Sequence, residues 1–152
     1  MYKKLLLRKN LIAEVPGEHI ENAYVPFIGD GDIAVELYKN YRIYGADIDI
    51  DRVKLANSRL PGNTIIEADC DGWPFPNVQV EFQLCDFDSY SEPYTSFREF
   101  WTHANKSDTM VLFFTDGHQQ GIIRLGVFIR PDGAKENLED VNDRRAVVNA
   151  YW

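Results

Sequence analysis

The stretch from Ala23 to Asp49, AYVPFIGDGDIAVELYKNYRIYGADID, constrains the fold more than any other part of the chain. It reads as a strand, a glycine turn, a helix and a second strand that ends in acidic residues. Ala23 to Ile28 is short and mostly apolar, and Gly29-Asp30-Gly31 follows at once. Backbone can pass very close to a ligand in such a turn, because glycine carries no Cβ. Asp32 is placed to cap a helix from about Ile33 to Lys39, in which Ile33 and Leu37, and Ala34 and Tyr38, fall at helical spacing. The second strand, Arg42 to Ile48, runs into Asp47 and Asp49. A carboxylate at the end of the second strand of a βαβ unit can receive the ribose hydroxyls of a nucleoside lying across the strand ends.

The alternation continues downstream. Asp51 is expected to cap a helix running to about Leu60, which Pro61-Gly62 stops. Thr64 to Ala68 suits a third strand, and Asp69-Cys70-Asp71-Gly72 turns the chain. Val80 to Cys85 suits a fourth, leading into a turn at Asp86-Phe87-Asp88. A helix from Thr95 to about His103 and a buried strand from Thr109 to Thr115 complete the series, the strand ending in Asp116-Gly117. Alternation of this kind predicts an α/β fold, a mostly parallel sheet covered by helices on both faces. Asp30, Asp47, Asp69, Asp86 and Asp116 then fall along the carboxyl edge of the sheet, where open α/β sheets bind ligands. Any one of them is also explained by the ordinary preference of Asp for turns and helix N-caps.

Composition removes several classes. Of the 152 residues, 45% are hydrophobic and 13% aromatic, too many for a disordered chain. No apolar run approaches the roughly 18 residues of a membrane span. MYKKLLLRKN has only three leucines and no small-residue cleavage site after them, so it does not read as a signal peptide. Cys70 and Cys85 sit at the ends of different strands, as reduced thiols of a cytoplasmic protein that act as small core residues. A formal net charge of −8 argues against tight, sequence-neutral binding of nucleic acid by the chain alone. Lys3, Lys4, Arg8 and Lys9 read as a solvated terminal segment rather than a phosphate-binding arm. Trp101 reads as a helix core residue, Trp73 and Phe75 as packing beside a nucleoside pocket, and His118 as a solvated loop histidine. No metal is expected at Asp86-x-Asp88, since no His or Cys lies at ligand spacing.

Ile28-Gly29-Asp30-Gly31 is not a full GxGxxG, and it lacks the Gly-Lys-Ser/Thr of a phosphate loop. Its aspartates would repel a pyrophosphate and suit a ligand bearing an ammonium group and hydroxyls. From Tyr24 to Gly117 the chain resembles the class I S-adenosylmethionine-dependent methyltransferases, which have a three-layer Rossmann-like fold. Pro26-Phe27-Ile28-Gly29-Asp30-Gly31 resembles the PFxGxG form of their first motif, found in amino-methylating nucleic-acid enzymes. Tyr44-Gly45-Ala46-Asp47-Ile48-Asp49 is similar to the second motif, and Glu67-Ala68-Asp69-Cys70 with Trp73-Pro74-Phe75-Pro76 to the third. The resemblance implies S-adenosyl-L-methionine as cofactor, with Phe27, Gly29, Asp30, Gly31, Asp47, Ile48, Asp69, Cys70 and Asp86 around it. Asp47 stands at the ribose position and Asp69 at the adenine amino position. It divides a single domain into an N-terminal arm (1–22), a cofactor-binding core (23–117) and a C-terminal segment (118–152).

Asp86-Phe87-Asp88-Ser89-Tyr90-Ser91-Glu92-Pro93 resembles the DxDP(F/Y)GSP segment of tRNA guanine N2-dimethyltransferases and, more distantly, the (D/N)PP(Y/F) of DNA adenine methyltransferases. Ser89, Ser91 and Glu92 stand where that family carries proline, glycine and a small residue. The resemblance implies a catalytic set of Asp86, Asp88 and Tyr90. Asp88 would accept an exocyclic amino hydrogen, Tyr90 would stack on the base, and Asp86 would lie nearer the cofactor. The expected activity is methyl transfer to a nitrogen of a nucleic-acid base, in tRNA or DNA. The alternatives are a non-catalytic binding or assembly protein of the same fold and a small-molecule methyltransferase. The family's full sheet has seven strands. His118 to Trp152 offers only one weak apolar stretch, Ile122 to Ile129, so the C-terminal hairpin strands are expected to be missing. Target selection would then fall to a homo-oligomer, a partner subunit or the N-terminal arm.

Overall fold

The computed structural model describes residues 2–14, 20–90, 92–115, 117, 122, 126–129, 134–140, 142 and 144–146. They form two compact units, residues 1–88 with 94–114, and 89–93 with 115–152. The first unit holds a five-stranded sheet of β1 (Asn22–Pro26), β2 (Arg42–Asp47), β3 (Thr64–Glu67), β4 (Glu81–Asp88) and β5 (Asn105–Thr115), in the order β3-β2-β1-β4-β5. β1 pairs in parallel with β2 from Asn22↔Arg42 to Pro26↔Ala46, and with β4 at Tyr24↔Cys85. β2 pairs in parallel with β3 up to Asp47↔Glu67. The chain therefore enters at the centre, winds out to β3, and returns to the other side of β1, leaving the switch point between β1 and β4.

Side chains alternate along these strands and sort the core into two faces. Ala23, Val25, Ile43, Ile65, Leu84, Val111 and Phe113 pack with one set of helices. These are a π-helix (Ala34–Tyr38), α2 (Ile50–Arg59), which contributes Val53 and Ala56, and α1 (Tyr2–Glu14), which lays Ile12 against the same core. Tyr24, Tyr44, Phe82, Cys85 and Phe87 face the other way, toward Phe75 and toward Phe100 of α3 (Tyr94–His103). That second face is aromatic. The Tyr24 ring stacks on Phe100 at 5.3 Å between centroids and meets Trp73, Phe75 and Phe87 edge-on. The result is the three-layer α/β arrangement expected from the alternation. No helix among the described residues is long and apolar enough to cross a membrane.

Several local expectations are corrected. Asp49, not Asp51, caps α2: it is extended, and its Oδ1 accepts from the amides of Asp51 at 2.9 Å and Arg52 at 3.3 Å. Asp32 caps nothing, because the Arg59 guanidinium holds its carboxylate at 2.6 Å, and the helix it leads into is a π-helix at Ala34–Tyr38. Trp101 is 50% exposed. It lies next to buried Phe100 in sequence, about 100° further round the helix, and so faces outward. β4 does not end at Cys85; it continues through Asp86 and Asp88, so these two aspartates belong to a strand and not to a turn. Arg8 is not solvated, its side chain being only 4% exposed. The acidic turn at Asp116, together with Ser91, His118 and most of the C-terminal segment, lies outside the described residues.

In the second unit, β6 (Val127–Ile129) and β7 (Lys135–Asn137) form a separate antiparallel pair, in the register Val127↔Asn137 to Ile129↔Lys135. The Leu138 amide donates to the Gly126 carbonyl at 2.6 Å, and Arg144 Nε donates to the Leu138 carbonyl at 2.8 Å. Among the described residues, the five-stranded sheet carries no further strand.

Arg8 and Asp86 explain how a charged pair survives in the interior. Arg8 Nε and Nη2 donate to Asp86 Oδ2 and Oδ1 at 2.7 and 2.6 Å, a bidentate fork, and the Tyr38 hydroxyl donates to Oδ2 at 2.6 Å. Removing one member of such a pair leaves an uncompensated buried charge, which costs about 3–5 kcal/mol, whereas replacing both by apolar residues is often neutral. Arg8→Ala is accordingly expected to lower unfolding free energy in urea by about 3–5 kcal/mol, and Arg8→Met with Asp86→Leu to recover most of that loss. Equal losses in the single and double variants would contradict this account.

Candidate functional site

The site is built on the turn that follows β1. Phe27, Gly29 and Gly31 all have positive φ, at 58°, 55° and 78°. Glycine tolerates this region freely, while for Phe27 it is unfavourable, so the turn depends on its surroundings. The Ile28 amide donates to the Ala46 carbonyl at 3.0 Å, the Gly31 amide to the Ile28 carbonyl at 3.0 Å, and the Gly29 amide to Asp47 Oδ2 at 2.9 Å. The two glycines differ in what surrounds them. A Cβ on Gly31 would sit 3.4 Å from the Ala56 Cβ and 3.5 Å from Leu60 Cδ1, against α2. A Cβ on Gly29 would meet only Arg52 Nη1, at 3.9 Å. Gly29 is thus the point where backbone lies open.

Asp47 ends β2 beside that opening. Oδ2 takes the Gly29 amide and Oδ1 the Asp49 amide at 3.0 Å, which fixes the carboxylate while leaving each oxygen a further lone pair. The Asp47 carbonyl accepts from the Ala68 amide at 3.0 Å, and this brings the Asp69 segment alongside. Asp69 is exposed and its Oδ1 accepts from the Asp71 amide at 2.9 Å. Cys70 is buried behind the turn, where its Sγ accepts from the Phe27 amide at 3.4 Å and faces the Ala46 carbonyl at 3.5 Å. Burial pushes its thiol up to about 12. Ile48, 72% exposed, offers an apolar surface next to Asp47. Phe27, Gly29, Asp47, Asp69 and Cys70 are therefore gathered at the carboxyl ends of β1, β2 and β3, and Asp30 and Ile48 border them.

Asp86 and Asp88 are held elsewhere. Asp86 shares the Leu84 face of β4, where burial pushes its carboxyl up and the Arg8 and Tyr38 hydrogen bonds pull it back. Burial and the adjacent Asp86 charge raise the Tyr38 hydroxyl well above its usual range, so it remains a donor. Asp88 accepts from Lys4 Nζ at 2.8 Å, and Arg8 Nη2 lies 3.8 Å from its other oxygen. Tyr90 is 86% exposed and belongs to the second unit. Sequence reasoning missed Lys4, Arg8 and Tyr38 as partners of these two aspartates, and Arg59 as the partner of Asp32. Nothing in their local spacing marks them, since each pairing joins residues at least 27 positions apart.

No protein-family model matches the chain. Over 68 residues, 43% of its length, it is 32% identical to the trans-aconitate 2-methyltransferase of Rhizobium etli, and the match spans only 27% of that protein. Three solved structures are similar in fold. An O-methyltransferase from the trans-AT PKS multienzyme of Brevibacillus brevis, in complex with S-adenosyl-L-homocysteine, has a TM-score of 0.52 at 17% identity, over 70% of this chain and 38% of that one. An amino pentose methyltransferase of Micromonospora echinaspora with S-adenosylmethionine bound scores 0.50 at 15% identity, over 66% and 45%. A Pyrococcus horikoshii protein scores 0.54 at 16% identity, over 95% of this chain and 77% of that one. Together with the β3-β2-β1-β4-β5 sheet, these likenesses establish that the chain has the Rossmann-like α/β fold of S-adenosylmethionine-dependent methyltransferases.

Proposed function

We propose that the chain binds S-adenosyl-L-methionine at the carboxyl ends of β1, β2 and β3 and directs its methyl group to a small-molecule acceptor. The observation that carries this reading is the Asp47 carboxylate, fixed by two backbone amides beside the open Gly29 turn. The residues fit the cofactor: Asp47 retains acceptor capacity for ribose hydroxyls, Asp69 is exposed for the adenine amino group, and Ile48 gives the ring an apolar neighbour. When bound, the sulfonium supplies an electrophilic methyl group to an acceptor lone pair, and the electrons of the broken C–S bond return to sulfur. What the chain must contribute is alignment and exclusion of water. Burial raises the Cys70 thiol, which disfavours it as a nucleophile.

A nucleic-acid base is the less favoured acceptor. That reading rests on Asp86 and Asp88, whose carboxylates Arg8 and Lys4 already engage, and the net charge of −8 disfavours a polyanion. The relatives' names point toward small acceptors, trans-aconitate for one and an amino pentose for another.

Calorimetry with S-adenosyl-L-homocysteine should show binding, which Asp47→Asn weakens roughly tenfold, about 1.4 kcal/mol. No binding by the wild type at millimolar ligand would remove the reading. Labelled methyl groups offered with small carboxylic acids, amino sugars, tRNA and DNA should enter the small-molecule fraction. Label in tRNA or DNA alone would restore the nucleic-acid acceptor, and binding with no transfer to any acceptor would mark a non-catalytic protein. Cys70 and Cys85 are both buried, and burial raises both thiols above their ordinary range. Iodoacetamide is therefore expected to modify both cysteines far more slowly in native than in urea-unfolded protein.

A further inference from the structure

We propose that Arg59 is a positioning residue for the cofactor turn, acting from the α2 side. This rests on the reading of that turn as an S-adenosylmethionine site. From the last turn of α2, Arg59 Nη1 donates both to the Asp30 carbonyl at 2.7 Å and to Asp32 Oδ1 at 2.6 Å. These two acceptors flank Gly31, the third residue of the turn with positive φ. Among the described residues, the other hydrogen bonds at the turn come from its own residues, from β2, from Cys70 and from the Val35 amide of the π-helix, which donates to the Gly31 carbonyl at 2.8 Å. Arg59 is the brace from behind, on the side where Gly31 meets Ala56 and Leu60 of α2.

The same contact settles a charge. Asp30 and Asp32 lie in the segment after β1, and Asp49 and Asp51 follow β2, where Arg52 lies 3.7 Å from Asp49 and Lys54 3.1 Å from Asp51. Arg59 supplies the counter-charge for Asp32 and fixes the Asp30 carbonyl on the other side of Gly31. The Arg59 and Asp32 side chains are 34% and 47% exposed. An ion pair that exposed adds little to global stability, so its effect is local. This separates positioning from a purely structural role, because binding can fall while the unfolding midpoint stays in place.

The test compares wild type, Arg59→Ala, Arg59→Lys and Arg59→Ala with Asp32→Asn, using S-adenosyl-L-homocysteine calorimetry, urea unfolding and amide hydrogen exchange without ligand. Arg59→Ala should weaken binding about tenfold with an unchanged urea midpoint, and should speed exchange at the Gly31 and Val35 amides, whose bonds to Ile28 and Gly31 carbonyls define the turn. Arg59→Lys, which keeps the charge on a shorter and differently shaped donor, should recover part of the affinity, and adding Asp32→Asn to Arg59→Ala should recover part as well. If Arg59→Ala does not fold, Arg59→Lys carries the comparison, with weaker binding and faster exchange expected. Wild-type binding with equal affinity and exchange in the variants overturns the inference and leaves the cofactor reading standing. A wild type that binds nothing at millimolar ligand overturns both.

Discussion

The buried carboxylate of Asp86 is the constraint around which the first unit is organised. A charge 1% exposed in the middle of a sheet is untenable alone, and two elements converge on β4 to satisfy it: α1 through Arg8 and the π-helix through Tyr38. The π-helix begins just beyond Gly31 and ends at Tyr38. The helix that follows the site's turn is thus anchored at its far end by Asp86, while Arg59 holds the near end. Arg8 also lies 5.4 Å over the Phe113 ring, so the N-terminal helix is fastened to β5 as well as to β4.

This arrangement changes what an acidic pair at the end of β4 signifies. Read as sequence, Asp86-Phe87-Asp88 is two carboxylates offered to a substrate. In the fold, one carboxylate is interior and fully ligated, and the other lies under Lys4. The segment explains how α1 is seated against the sheet, while the open backbone lies at the turn after β1, beside Asp47 of β2.

Most of the fold was legible because hydrophobic periodicity is local: the five strands, α2 and α3 announce themselves in their own residues, and Pro61-Gly62 ends α2 where expected, whereas α1 read only as a terminal arm. The turn at Gly29 and the carboxylate at Asp47 were legible for the same reason, since neighbours in sequence build them. The rest was decided at a distance. β4 was ended too soon because charged residues seldom sit fully inside a sheet, and the Arg8 that permits it lies 78 positions earlier. Asp32 looked like a cap, as Asp usually does at a helix start, until a guanidinium 27 positions later claimed it. Asp49 and Asp51 lie two apart and both suit a cap, and only backbone conformation separates them.

The two glycines of the turn stand in different surroundings. Gly31 is held to its identity by its φ of 78°, and a Cβ there would rest in ordinary van der Waals contact with Ala56 and Leu60. Gly29 is bound by backbone conformation and faces open space except for Arg52. At 31, with φ at 78°, glycine meets the backbone without strain and the helix behind it leaves room for little more than a Cβ. At 29, with φ at 55°, asparagine or aspartate tolerates the same backbone region. A side chain at 29 would therefore project into open space, and one at 31 would lie against α2.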